Sequence, residues 1–311
     1  MDTWGDVWAT KAVTPSWQDV LSPEERQGGG TPWGSSRWAV FERCEYLYWL
    51  KYVKRMKLAE PSHPLEIGGL VHECLAAYFQ TFLDWADDES SKACDQACLE
   101  SMFRLVDLNT KPIPHIANEA RRLLQGWLVI NGPGTSHDER ARTLAVEAFA
   151  EVNRDGFPYS TRFDRLLWDP ELDGVVIEET KTASRYSESL LLGYRMDPQF
   201  LGQQYVYRRG RLDRKYGPLR GYRVNLIVKT KGPDVYQETV PILVPQIRDW
   251  MQDKKRMWSR LVLCEAEGRW PKRRANCVMY GRRCEAHDHC ACLGKGAGAY
   301  RGWVKKEDWE V

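Results

Sequence analysis

Two carboxylates and a lysine lie close together in this chain, at spacings that could handle a phosphate ester. In a β-strand alternate side chains share a face. The run GVVIEETKT, residues 174–182, therefore sets Val175, Ile177, Glu179 and Lys181 on one side and Val176, Glu178 and Thr180 on the other. A carboxylate and an ammonium following two apolar residues on one face are costly unless they pair or bind something. The preceding run, TRFDRLLW, is separated from this one by the polar turn sequence DPELD, so the two read as a hairpin that could bring Asp164 beside Glu179. Two hard carboxylate oxygens so placed suit Mg²⁺ or Mn²⁺. The adjacent lysine can orient an attacking water or offset charge on a pentavalent phosphate. A simple ion pair between Glu179 and Lys181 at the strand's end would produce the same spacing, and the triplet alone leaves both readings open.

The elements that must position these residues follow from periodicity. RWAVFERCEYLYWLKYVKRM, after Ser35 and Ser36, carries Trp38, Phe41, Tyr48 and Tyr52 at helical intervals and reads as one helix. IGGLVHECLAAYFQTFLDWA reads as a second helix, entered through Gly68 and Gly69 after Pro61 and Pro64. The segment Asp84 to Glu119 looks helical, and ANEARRLLQGWLVI is an amphipathic helix closed by NGPG. The character changes at Thr143. LAVEAFAEV, TRFDRLLW and GVVIEETKT are strand-like, PQFLGQQYVYRRG is helical, and YRVNLIVKT and VYQETVPIL are further strands. IRDWMQDKKRMWSRLVLCEAEG is a long amphipathic helix. Helices, strands and helices around one sheet predict an α/β domain, a mixed central β-sheet flanked by helices. The expected organisation is a loosely attached arm over residues 1–34, with its GGG run at Gly28 to Gly30, one domain over 35–292, and a tail over 293–311.

Composition bounds the possibilities. The chain has 311 residues, 45 Lys and Arg against 43 Asp and Glu, and a formal charge of +2. This is not a polycation that coats nucleic acid, so any phosphate binding must rely on local patches. No apolar run approaches a membrane span, and the N-terminal residues have no secretory pattern. The cytoplasm is the expected compartment, and no membrane partner is expected. There the nine cysteines are expected to be free, buried or metal-bound and not disulfide-bonded.

Taken in order, these motifs resemble the PD-(D/E)xK nucleases, in particular the RecB-type and CRISPR-associated exonuclease group with an iron–sulfur cluster. That family places a histidine on an early helix, an aspartate on one strand, Asp/Glu-x-Lys on the next, and Gln-x-x-x-Tyr on the following helix. Here IGGLVHECL supplies His72, RFDRLL supplies Asp164, IEETK supplies Glu179 and Lys181, and QQYVY supplies Gln203 and Tyr207. The resemblance spans about residues 35 to 292. It implies a restriction-endonuclease-like core and a metal-dependent deoxyribonuclease, most commonly an exonuclease. Asp164, Glu179 and His72 would be metal ligands and Lys181 would assist the nucleophile. Gln203 and Tyr207 would steady the lysine or the DNA. Glu147, in AVEAF, resembles an acidic residue that often precedes the catalytic strands. Thr161 stands where relatives commonly carry glycine, and Glu179 replaces the more frequent aspartate. The family's uses imply DNA recombination, repair or phage and CRISPR processes, with a helicase, recombinase or CRISPR protein as partner. A non-catalytic DNA-binding or assembly module on the same fold is the rival expectation.

The C-terminal cysteines, Cys277, Cys284, Cys290 and Cys292, do not show the paired C-x-x-C spacing of zinc ribbons. The resemblance implies a [4Fe–4S] cluster on Cys44, Cys277, Cys284 and Cys290, stapling the N- and C-terminal segments. Zinc, with Cys292, His287 or His289 as substitute ligands, and unliganded thiols remain the alternatives. Cys74, Cys94, Cys98 and Cys264 read as small buried residues. Arg208, Arg209 and Arg211 directly follow the Gln–Tyr helix and are the expected DNA contacts. Lys229, Lys231, Lys272, Arg273, Arg274, Arg282 and Arg283 form further basic groups.

Overall fold

The computed structural model describes residues 33–58, 63–85, 92–110, 113–135, 140–229, 233–241, 244–279, 282–291 and 303–305. The sequence elements expected at Gly28 to Gly30, Pro61, Lys231 and Cys292, and most of the expected arm and tail, lie outside these residues. In chain order the elements are α1 (Ser35–Arg43), α2 (Glu45–Tyr48), β1 (Met56–Leu58), α3 (His63–Asp84), α4 (Lys92–Thr110), α5 (Pro114–Asn131), β2 (Thr143–Arg154), β3 (Phe157–Asp169) and β4 (Gly174–Ala183). There follow α6 (Glu188–Tyr194), α7 (Pro198–Arg209), α8 (Asp213–Tyr216), β5 (Leu219–Lys229), β6 (Pro233–Pro241), α9 (Val244–Glu267), β7 (Val278–Met279), β8 (Arg282–Arg283), α10 (His287–Ala291) and β9 (Trp303–Lys305). Among the described residues no helix is long and apolar enough to cross a membrane.

The fold is α/β: a five-stranded sheet of order β2-β3-β4-β5-β6, flanked by helices. It is mixed, with β4 antiparallel to β3 and parallel to β5, and β5 antiparallel to β6. The chain divides into two compact units, one of residues 1–60, 151–161 and 247–311 and the other of 61–150 and 162–246.

The second unit holds the β3–β4 hairpin. Asp169 closes its turn by accepting from the amides of Glu171 and Leu172 at 2.9 and 3.1 Å. Strand β4 is buried from Gly174 through Thr180, as a central strand covered on both faces must be. Helices α3, α4 and α5 form one apolar layer. Val71, Cys74, Leu75 and Tyr78 recur at helical spacing and pack with Cys98, Met102, Val106, Leu124 and Trp127. Helix α3 already runs through Gly68 and Gly69 and does not begin there. A side chain at Gly68 would come within 3.2 Å of Thr182 Oγ1, so this glycine lets the helix lie close to β4, one turn before His72.

In the first unit, Trp33, Trp38, Phe157, Trp250 and Trp258 form an aromatic cluster of mostly edge-to-face rings. Most of the tryptophans described there are thus packing residues. The segment expected to be one helix is broken: Cys44 is extended (φ −168°, ψ 119°), separating α1 from α2, and residues 49–53 form a π-helical turn. Local periodicity favours continuity, but the next residue, Glu45, is drawn into a buried ion-paired position with Arg260 and Arg273, the latter at 2.9 Å.

Candidate active site

The residues singled out on β3 and β4 meet in the second unit. The hairpin register pairs Arg165 with Glu178, and Asp164 and Glu179 are the next residues on the two strands, close enough for each charge to act on the other. Asp164 Oδ2 accepts from the Thr180 amide at 2.9 Å and lies 3.1 Å from His72 Nδ1. His72 reaches it from α3. The Lys181 ammonium donates to Glu179 Oε1 at 2.7 Å. The expected ion pair of Glu179 and Lys181 is therefore present, and it lies beside a second carboxylate.

Helix α7 supplies the remaining partners. Gln203 Nε2 donates to Glu179 Oε2 at 2.8 Å and to the Arg162 carbonyl at 3.4 Å. Gln199, one turn earlier, donates its amide to Glu179 Oε1 and accepts from Lys181 Nζ at 2.9 Å. Asp197 caps this helix by accepting from the Gln199 amide at 2.7 Å, which fixes where Gln199 stands. The sequence motifs did not single out Gln199. The available signal was its four-residue spacing from Gln203, which puts both on one helix face.

Tyr207 does not join the centre. Its ring is fully buried and its hydroxyl donates to the Gly217 carbonyl at 2.9 Å. Gly217 has φ +110°, a conformation side chains resist, and a Cβ there would also meet the Trp168 ring. Tyr207 thus anchors the turn after α8. Arg208 and Arg209 end α7 and Arg211 follows it, with Arg208 about 13 Å along the helix from Gln199 at ~1.5 Å per residue. Burial lowers the pKa of Arg208.

Glu147 on β2 does reach the site. It lines the same small cleft as His72, Asp164 and Thr180. Its φ of +48° interrupts the strand's geometry, an unusual backbone for glutamate that re-aims the side chain. Arg162 lies 3.5 Å away.

The electrostatics favour a bound cation. Burial raises the pKa of Glu179, and the charge of Asp164 raises it further against the opposing pull of Lys181 and Gln203. Burial and Asp164 likewise raise Glu147. Carboxylates that lie near one another and disfavour one another's charge suit a divalent ion that neutralises them. Gln203 Oε1 is buried beside Glu179 without a partner, an acceptor that a metal-bound water would satisfy. The hard oxygen donors thus fit Mg²⁺ or Mn²⁺. As the side chains stand, Glu179 is turned to Lys181, Gln199 and Gln203, and among the described residues no three His, Cys, Asp or Glu are grouped to grip an ion.

In the first unit, Cys44, Cys277, Cys284 and Cys290 line one cavity of about 250 Å³, with Leu47, Ala286 and His287. Burial raises the pKa of Cys290 to about 11, and the other three thiols add to the shift. The Cys284 amide donates to the Cys277 carbonyl at 2.7 Å, which ties these two cysteines together. His289 is committed elsewhere, stacked on Tyr46 with its Nε2 2.8 Å from the Tyr46 hydroxyl. Cys74, Cys94, Cys98 and Cys264 are all buried.

Among solved structures, the chain resembles a candidate exonuclease from Eubacterium rectale, with 12% identity, 79% of this chain and 80% of that one covered, and a TM-score of 0.48. It also resembles SSO0001, with 15% identity, 50% and 66% covered, and a TM-score of 0.27. No curated protein matches the sequence. The sequence pattern of the PD-(D/E)XK nuclease superfamily, by contrast, matches residues 32–291, most of the chain and all of the centre described above, so the chain belongs to the PD-(D/E)XK nuclease superfamily.

Proposed function

We propose that this nuclease is a divalent-metal-dependent deoxyribonuclease that acts as an exonuclease on DNA ends or single strands. The observation that carries this is the meeting of Asp164 and Glu179 across paired strands with the Lys181 ammonium 2.7 Å from Glu179. Asp164 and Glu179 would hold Mg²⁺ or Mn²⁺, with His72 and Glu147 completing the shell. The ion, when bound, supplies Lewis acidity and a water of lowered pKa. Lys181, held between Glu179 and Gln199, orients the nucleophile and offsets charge on the phosphate. Gln203 keeps the Glu179 carboxylate in place. Arg208, Arg209 and Arg211 are proposed to contact phosphates farther along the strand.

The four cysteines around the first unit's cavity support a [4Fe–4S] cluster with a structural role. His287 on the cavity wall keeps zinc as the competing occupant. A role in recombination, repair or phage and CRISPR processes, with a helicase, recombinase or CRISPR protein as partner, follows from the family resemblance alone.

The test is degradation of linear DNA with Mg²⁺ or Mn²⁺ by the wild type, Asp164→Ala and Lys181→Ala. Wild-type activity lost in both variants is the expected result. A wild type that binds DNA but is inactive in both metals overturns the enzyme reading in favour of a non-catalytic module.

A further inference from the structure

The face of β4 that carries Lys181 continues across the sheet. Lys181 is in register with Leu226 on β5, and Leu226 with Tyr236 on β6. Register partners point to the same side of a sheet. Tyr236 therefore stands in the same row as Lys181, about 10 Å away, or two interstrand spacings of ~4.8 Å. Strand β6 is the sheet's edge. Tyr186, in the segment directly after β4, lies flat against Tyr236, with ring centroids 4.0 Å apart and planes at 19°. Tyr186 retains 41% of its surface exposed.

We propose that Tyr186 and Tyr236 form a stacking platform for an unpaired nucleobase of a DNA strand whose backbone reaches the Asp164–Glu179–Lys181 centre; this rests on the nuclease reading above. A tyrosine serving only to pin its loop to the sheet would gain most by burying both ring faces. Here one ring backs the other and the Tyr186 side of the pair keeps much of its surface in solvent, room for a further flat π-system to join the stack. Every nucleobase has such a face, and stacking on it requires the base to be out of its pair. The surrounding charge is compatible with a polyanion. Arg185 is exposed beside Tyr186, and Glu238, two residues along the same face of β6, is paired with Arg195 at 2.9 Å. The ligand class is thus a single-stranded segment, bound with little regard to sequence.

The experiment uses the full chain and single-stranded oligonucleotides carrying 2-aminopurine at successive positions, bound in EDTA. One position should be quenched on binding to the wild type. Tyr186→Ala should weaken binding about tenfold and abolish that quench, while Tyr186→Phe keeps both. An abasic residue at the quenched position should cost the wild type a similar factor and cost Tyr186→Ala nothing further, which a merely structural tyrosine would not produce. DNA degradation in Mn²⁺ is measured alongside. A wild type that degrades DNA while Tyr186→Ala binds and quenches like it overturns the platform alone. A wild type that quenches but never degrades DNA supports the platform and overturns the nuclease reading. Neither binding nor degradation overturns both.

Discussion

The Gln199 side-chain oxygen accepts from the Lys181 ammonium at 2.9 Å, while its amide donates to the carboxylate that the same lysine contacts. The lysine of the D/E-x-K motif is therefore held from two sides, by its own strand and by the first turn of α7. Gln199→Leu should lower kcat by about tenfold, the scale of one lost hydrogen bond to a charged group, with KM little changed. Gln199→Glu keeps an acceptor for Lys181 but sets a second carboxylate against Glu179, so it should not restore the rate. Equal rates for wild type and Gln199→Leu would remove Gln199 from any positioning role.

The centre itself is tested by conservative changes. Asp164→Asn and Lys181→Met should each reduce DNA hydrolysis by at least about a hundredfold, with circular dichroism unchanged. Activity within a few-fold of wild type in either variant would contradict the assignment.

Tyr207 separates a structural role from a catalytic one. Tyr207→Phe deletes the donor to the Gly217 carbonyl and should cost about 0.5–1.5 kcal/mol in denaturant unfolding. The rate per folded molecule should not change. A variant of wild-type stability with impaired turnover would return this tyrosine to the active centre.

His72 gives the metal-free protein a pH signature. Burial alone would lower its pKa, but the hydrogen bond and charge of Asp164 outweigh it, so the pKa is raised. A histidine whose folded pKa lies above its unfolded value of ~6.5 adds stability that is fully present below about pH 6.5 and lost as pH rises through the folded value. In EDTA, His72→Gln should therefore lose more stability than wild type in acid, and the gap should close toward alkaline pH. A gap independent of pH would show that the pair with Asp164 is not ionic.

The cysteine cavity predicts its contents. Protein purified without oxygen should be brown and carry iron and sulfide, and Cys44→Ala or Cys284→Ala should lose the colour and lower Tm. Colourless protein with stoichiometric zinc would replace the cluster by a zinc site.

Much of this was legible in residue order. Strand alternation placed Glu179 and Lys181 on one face, and a polar turn of the right length predicted the hairpin that sets Asp164 beside them. These are local rules, fixed by backbone geometry within a few residues. Helix α6 was not legible, because seven residues carry too little periodicity to mark a helix. The break at Cys44 was also hidden, since the flanking residues all fit one continuous helix and the ion-pair partners of Glu45, Arg260 and Arg273, are more than two hundred residues away.

The sequence by itself determined the D, E-x-K and histidine set, the mixed α/β sheet, and the superfamily. Only the tertiary structure decided the company these residues keep. Gln203 and Tyr207 are four apart on one helix, yet Gln203 meets Glu179 while Tyr207 turns to Gly217, because the side chains of the first two turns of α7 reach β4 while its last turn lies beside the turn after α8. Gln199, in the first of those turns, became the lysine's second partner for the same reason. Periodicity names which residues can share a face; where that face lands is set by packing between elements distant in the chain.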